Sequence, residues 1–239
     1  DMASWQTRVL NRALHHTLKH LMAGASSVQE MRRFIEAKGP PRLPADVSAE
    51  PVQAHAFRGE WIRTPESSDA RTLLYFPGGG FMLPASQQIP LFIARIDREA
   101  GTRALLVHYR LAPEHPFPAG LEDCLAAYRY LIDLGTDPKS IVVAGDSAGG
   151  GLTLSTLLAL RDDGDPLPAA AVVISPFTDF SFGGESRFAN SRHDPLLSAD
   201  GIRQMNAIYL DDALHDNPLV SPVYGDFAAL PPVLAQVGS

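Results

Sequence analysis

Trp5, Val9, Ala13, Leu14, Leu18, Leu21 and Met22 recur at helical spacing, with Arg8, Arg12, His15, His16 and Lys19 on the other side. One apolar stripe with a period of about 3.6 residues predicts an amphipathic helix. A second helix is predicted to begin at Ser27, with Glu30 three residues on completing a capping box and Met31, Phe34 and Ile35 forming the apolar face. Gly39-Pro40-Pro41-Arg42-Leu43-Pro44 then ends helical structure, because proline lacks the amide donor and its ring clashes with the preceding turn. Residues 1–48 are therefore expected to form an N-terminal helical cap.

Beyond this break the pattern shortens to strands at Val52 to Phe57, Trp61 to Arg63, Leu73 to Phe76 and Leu105 to Tyr109. The last two are apolar almost throughout, as strands covered on both faces are. A helix follows from Leu121 to Leu134, a strand from Ile141 to Ala144, a helix from Ala148 to about Leu160 and a strand from Ala171 to Ile174. This alternation predicts an α/β fold: a mostly parallel sheet with helices on both faces. Residues 181–216 interrupt it with Gly183-Gly184, a polar loop and a helix from about Ala199 to Leu210, and are read as an insertion belonging with the cap. Pro232 to Val237 is predicted to be one more buried strand, so that residues 49–239 form a single domain around the sheet.

Composition changes this picture little. Apolar residues make up 45% of the chain and charged residues 20%, enough for an ordinary globular core. A net charge of −7, without basic blocks, excludes a nucleic-acid backbone as partner, because phosphate binding needs clustered Lys and Arg. No run is long enough to span a membrane, and the charges at Arg8, Arg12 and Lys19 do not suit a signal peptide. The cytoplasm is the expected location. Cys124 stands alone in the run Cys124-Leu125-Ala126-Ala127-Tyr128, which reads as a buried helix face with no disulfide. His16 and His20 lie one helical turn apart with His15 beside them, and Asp162-Asp163-Gly164-Asp165 is acidic but follows a helix and lacks the later ligands of a calcium loop. They read as a solvated helix face and a helix-terminating turn, and no metal is expected.

Candidate chemistry lies at Gly145-Asp146-Ser147-Ala148-Gly149-Gly150, between a predicted strand and a predicted helix. That setting is what a Gly-x-Ser-x-Gly nucleophile elbow requires. A strained turn aims the Ser147 hydroxyl outward, and the amide of Ala148, at a helix N-terminus, faces any oxygen held beside it. Pro77-Gly78-Gly79-Gly80-Phe81 directly follows another strand, where bare glycine amides can approach a ligand and form the other half of an oxyanion hole.

Together with Tyr109-Arg110-Leu111-Ala112-Pro113-Glu114-His115-Pro116-Phe117-Pro118-Ala119, Ser221-Pro222, Leu230-Pro231-Pro232 and Val237-Gly238-Ser239, these motifs resemble the hormone-sensitive lipase group of bacterial esterases within the α/β-hydrolases. The resemblance runs from about residue 50 onward, and more loosely through the helical start, which looks like that family's cap. It implies a carboxylic ester hydrolase acting through a serine acyl-enzyme on short- to medium-chain esters, without a cofactor. Ser147 would be the nucleophile and the amides of Gly79, Gly80 and Ala148 the oxyanion donors, with Gly78 supporting them. Phe81 and Met82, just after the glycines, would line an apolar substrate pocket together with Leu83, Trp5 and Phe34. Pro77 stands where the family has a histidine that braces the glycine loop; proline's fixed φ could brace it differently.

A serine nucleophile needs a histidine base oriented by a carboxylate, which in this fold follow the serine in the order acid, then histidine. Only His193 and His215 come after Ser147, and neither lies in a loop after a sheet strand, where the family keeps its base. The side chains of His193 and Asp194 are adjacent and diverge, and Asp194-Pro195-Leu196 matches a family segment in the cap insertion. In the family the acid comes shortly after the counterpart of Val237-Gly238-Ser239 and the base further on. The triad acid and base, and the closing strand and helix, are therefore expected to lie outside residues 1–239, leaving the C-terminal part of the fold missing. Two function classes stay open. One is the esterase, with a small-molecule ester as its partner. The other is an inactive small-molecule-binding protein on the same scaffold, as in the plant gibberellin receptors, which resemble this family. The glycine triplet favours the enzyme. A homodimer is left open.

Overall fold

The computed structural model describes residues 27–37, 39–181, 183, 184, 189, 191, 194, 199–210 and 214–238. The helix predicted from Trp5 to Met22, with His15, His16 and His20, lies outside them, as does His193. Helix α1 (Val28–Glu36) starts where the capping signal predicts, with the Ser27 hydroxyl accepting the Glu30 amide at 3.3 Å.

Two strands follow as an antiparallel hairpin, β1 (Ser48–Ala54) and β2 (Phe57–Arg63), with Val52 opposite Gly59. This corrects the strand expected from Val52 to Phe57, which the turn at residues 55 and 56 cuts. His55-Ala56 carries none of the Gly, Pro or Asn signals of a turn. Burial of Phe57 anchors the second strand instead.

The remaining elements are β3 (Thr72–Phe76), α2 (Gln88–Ala100), β4 (Arg103–Val107), α3 (Ala119–Asp133), β5 (Ile141–Asp146), α4 (Ala148–Asp163), β6 (Ala170–Ile174), α5 (Ala199–Tyr209) and β7 (Val233–Gln236). They form a seven-stranded sheet in the order β1-β2-β4-β3-β5-β6-β7, parallel from β4 to β7, with β1 and β2 added antiparallel at one side. Strand side chains alternate between the two faces. Leu73, Tyr75, Ala104, Leu106 and Ala144 face Ile93 and Ala94 of α2, whereas Leu74, Phe76, Leu105, Val107 and Val143 face α3 and α4. Helices thus cover both faces, as the alternation predicts. Cys124 is fully buried in α3, and burial pushes its thiol pKa well up, as suits an inert core residue.

Two further differences from the sequence reading stand out. Helix α2 is not among the predicted elements, although Ile89, Ile93 and Ile96 fall at helical spacing and Gly101, at φ 59°, caps its end. Pro90, three residues into the helix, masks it: there the missing amide would lack an intrahelical acceptor anyway. Strand β7 is not buried. It lies at the sheet edge, and among the described residues it pairs with β6 alone, leaving Leu234 64% exposed. An apolar run signals a covered strand only when something packs on it.

Candidate active site

Ser147 joins β5 to α4 at φ 52° and ψ −119°, a conformation that L-residues other than glycine rarely adopt. Such backbone strain costs about 1–3 kcal/mol and persists only where the surroundings enforce it. Here the Ser147 amide donates to the Ile174 carbonyl at 2.9 Å, and the Ser147 carbonyl accepts from Phe177 at 2.9 Å and Gly151 at 3.1 Å. Close packing explains the flanking glycines. A Cβ on Gly149 would overlap the Phe76 carbonyl oxygen and lie 2.7 Å from that of Pro77, and one on Gly145 would lie 2.7 Å from the Phe76 oxygen. The elbow therefore presses on the end of β3, because β3 and β5 are neighbours with Phe76 opposite Gly145.

That adjacency brings the glycine loop to the serine turn. The Asp146 carboxylate, one residue before Ser147, accepts both the Gly78 amide and the Tyr75 hydroxyl on Oδ1, each at 2.9 Å. Burial, reinforced by the Asp146 charge, raises the Tyr75 pKa strongly, so its hydroxyl stays protonated and acts as a donor. The Tyr109 hydroxyl, buried and likewise raised by desolvation, donates to the Pro77 carbonyl at 2.7 Å. Two side chains from other strand ends thus brace the loop that carries Pro77. Downstream, the Gly79 carbonyl accepts the Leu83 amide at 2.8 Å and the Met82 amide at 3.2 Å, closing a tight turn. Gly79 at φ 148° and Gly80 at φ 59° supply its left-handed conformations. Asp146→Ala is expected to cost about 2 kcal/mol, because the buried Tyr75 hydroxyl and the Gly78 amide both lose their acceptor. Urea denaturation checks this, and an unchanged midpoint would speak against it.

The side chains after the glycines pack inward. Phe81 is 3% exposed and stacks on Tyr209 of α5 with ring centroids 4.1 Å apart; Phe177 and Phe180 complete an aromatic cluster. Met82 is also buried, and Met205 of α5 reaches the same turn, its sulfur 3.2 Å from where a Cβ on Gly80 would stand. Phe34, grouped in the sequence reading with an apolar pocket, is 44% exposed on α1, and Trp5 lies outside the described residues.

A family model and a solved structure identify the family. A family model described as alpha/beta hydrolase fold matches residues 73–239. The chain is similar to a solved esterase from the bacterial hormone-sensitive lipase (HSL) family, at 38% identity and a TM-score of 0.89, covering 100% of this chain and 80% of that one. The chain belongs to the hormone-sensitive lipase family of α/β-hydrolases. It is 46% identical over 180 residues to an acetyl-hydrolase of Streptomyces hygroscopicus, covering 75% of this chain and 60% of that protein. It is 32% identical over 194 residues to an esterase of Acinetobacter venetianus, covering 81% of this chain and 64% of the relative.

The backbone carbonyl of His215 accepts the Ser221 hydroxyl at 2.6 Å. Asp163 and Asp165 are tied to Arg129 at 2.7 and 2.6 Å, and Gly164 at φ 75° ends α4, as the helix-terminating reading expects. Among the described residues there is no group of three or more His, Cys, Asp or Glu that could hold a metal ion, and no helix long and apolar enough to cross a membrane. The sequence reading missed Asp146, Tyr75, Tyr109, Met205 and Tyr209 at this site. Asp146 could have been noticed inside the serine motif. Tyr109 heads the Tyr109–Ala119 motif segment, whereas Tyr75, Met205 and Tyr209 act across the fold and nothing local marks them.

Proposed function

We propose that this hormone-sensitive lipase family member is a carboxylic ester hydrolase that works through a serine acyl-enzyme on short- to medium-chain esters. The observation carrying this reading is the strained Ser147 turn at the C-terminal end of β5, packed against the glycine loop that leaves β3. Ligands in open α/β sheets bind at that end of the strands. Names of relatives, acetyl-hydrolase and esterase among them, support the reaction class.

In the proposed reaction, Ser147 Oγ attacks the ester carbonyl carbon while its proton passes to a histidine base. The carbonyl oxygen becomes an oxyanion that accepts hydrogen bonds from the amides of Gly79, Gly80 and Ala148. Preorganised donors of this kind are each worth about 10²–10³ in rate. Collapse of the tetrahedral intermediate expels the alcohol, which takes the proton from the histidine; water then attacks the acyl-enzyme by the same route and frees the acid. The base and its carboxylate are proposed to come from outside residues 1–239, in keeping with a chain that spans 60% of the S. hygroscopicus relative. Residues 1–48 and 181–216 are proposed to cap the site; α1 and α5 both reach the glycine loop, through Arg32 and Met205. Phe81 and Met82 would then shape the acyl side from behind that loop.

Nitrophenyl acetate, butyrate, octanoate and palmitate, offered to the intact protein, test the proposal. Turnover should be highest among the shorter acids, fall steeply at palmitate and survive EDTA, because amides rather than a metal hold the oxyanion. Binding of esters without turnover would replace the enzyme with a binding protein.

A further inference from the structure

The sequence reading assigns Arg32 no role, yet its guanidinium uses all three nitrogens. Nε donates to the Met82 carbonyl at 2.8 Å, Nη2 to the Ala112 carbonyl at 2.6 Å and Nη1 to Glu114 Oε2 at 2.8 Å. Its side chain is 18% exposed, so these charge-assisted bonds are partly shielded from water. The Ala112 amide donates back to the Phe81 carbonyl at 3.0 Å, so Arg32 closes a ring of contacts joining α1, residues 81–82 and residues 112–114. Glu114 is held ionised by the hydrogen bond from Arg32, which lowers its carboxyl pKa.

Position gives this ring its meaning. The glycine loop is fastened on its upstream side by Asp146 on Gly78 and Tyr109 on Pro77. On its downstream side, the Met82 amide bonds to the Gly79 carbonyl while the Met82 carbonyl is held by Arg32. Gly79 and Gly80 lie between these two anchorages and have no side chain of their own to hold them.

We propose that Arg32 is a positioning residue for ester hydrolysis: from α1 it clamps the downstream side of the Gly79-Gly80 loop and so sets where that loop's amides meet the developing oxyanion. This rests on the serine esterase reading above. Lysine cannot replace the clamp, because a single ammonium cannot present a planar fork to acceptors on separate segments. Misplacing a catalytic group by about 1 Å can cost on the order of 10²-fold in rate.

The test uses the intact protein, nitrophenyl butyrate and an alkylboronic acid, whose tetrahedral serine adduct places an anionic oxygen where the oxyanion would lie. Arg32→Lys should lower kcat by about 10- to 100-fold with KM changed less than about threefold, and weaken the boronate by a similar factor. Arg32→Ala should do the same, and guanidinium ion added to it should restore part of kcat where methylammonium does not. A purely structural tie predicts a lower Tm with kcat and boronate affinity near wild type, and that result overturns the clamp. If Arg32→Ala does not fold, Arg32→Lys decides by the same readouts. Ser147→Ala separates the two levels. An inactive Ser147→Ala protein beside fully active Arg32 variants overturns the clamp alone, whereas an active one overturns the serine reading and the clamp with it.

Discussion

A Ser147→Ala protein is expected to hydrolyse nitrophenyl butyrate about 10⁴- to 10⁶-fold more slowly than wild type while keeping its fold. The substitution removes only Oγ. Cβ stays, so the backbone at φ 52° carries the same strain, and the bonds to Ile174, Phe177 and Gly151 all use main-chain atoms. Any rate left would come from the amides of Gly79, Gly80 and Ala148 holding the ester carbonyl for attack by water. A change in Tm of no more than about 2 °C is expected, because no buried contact is lost. Steady-state kinetics and a thermal scan on the same preparation check both halves. Retention of a tenth or more of the wild-type rate would remove Ser147 from the mechanism.

Gly149→Ala should damage the molecule itself. The added Cβ overlaps the Phe76 carbonyl oxygen and comes within 2.5 Å of the Phe76 carbonyl carbon and 2.7 Å of the Pro77 oxygen. All three are backbone atoms at the end of β3, a central strand, so no rotamer change can relieve the clash. Relief requires α4 to move away from β3, with the glycine loop dragged along. A loss of about 3–5 kcal/mol is expected, equivalent to a fall in Tm of roughly 10 °C or more, or to failure to accumulate as folded protein. Gly164→Ala is the control. Gly164, unlike Gly149, has positive φ, 75°, but a Cβ there meets nothing within 4 Å, so only conformational strain of about 1 kcal/mol applies. Thermal denaturation of the two variants side by side decides, and equal Tm values would show that the elbow tolerates a Cβ after all.

These expectations differ in where they come from. Ser147 was legible as a candidate nucleophile because a glycine-flanked serine between a strand and a helix is a local pattern, and the structure places it at that junction. The capped start of α1 and the turn after α4 were legible for the same reason, since capping and termination depend on residues a few positions apart. Helix α2 also had a local signal, but Pro90 obscured it. The hairpin turn at residues 55 and 56 carried no local signal; it follows from the pairing of β1 with β2 and the burial of Phe57.

The sequence by itself determined the α/β class, the serine at the strand-to-helix junction and the presence of a glycine loop after an earlier strand. Period, capping and steric tolerance are properties of near neighbours along the chain, so they can be read without coordinates. Only the tertiary structure decided that β3 and β5 lie side by side, which sets Asp146 against Gly78, and that Tyr109 and α1 reach the same loop. Tyr75 and Gly78 meet Asp146 across 71 and 68 residues, and Arg32 meets Met82 across 50. Such contacts depend on which strands pair and which helix docks where, a choice made by burial of the whole core rather than by any short stretch of sequence.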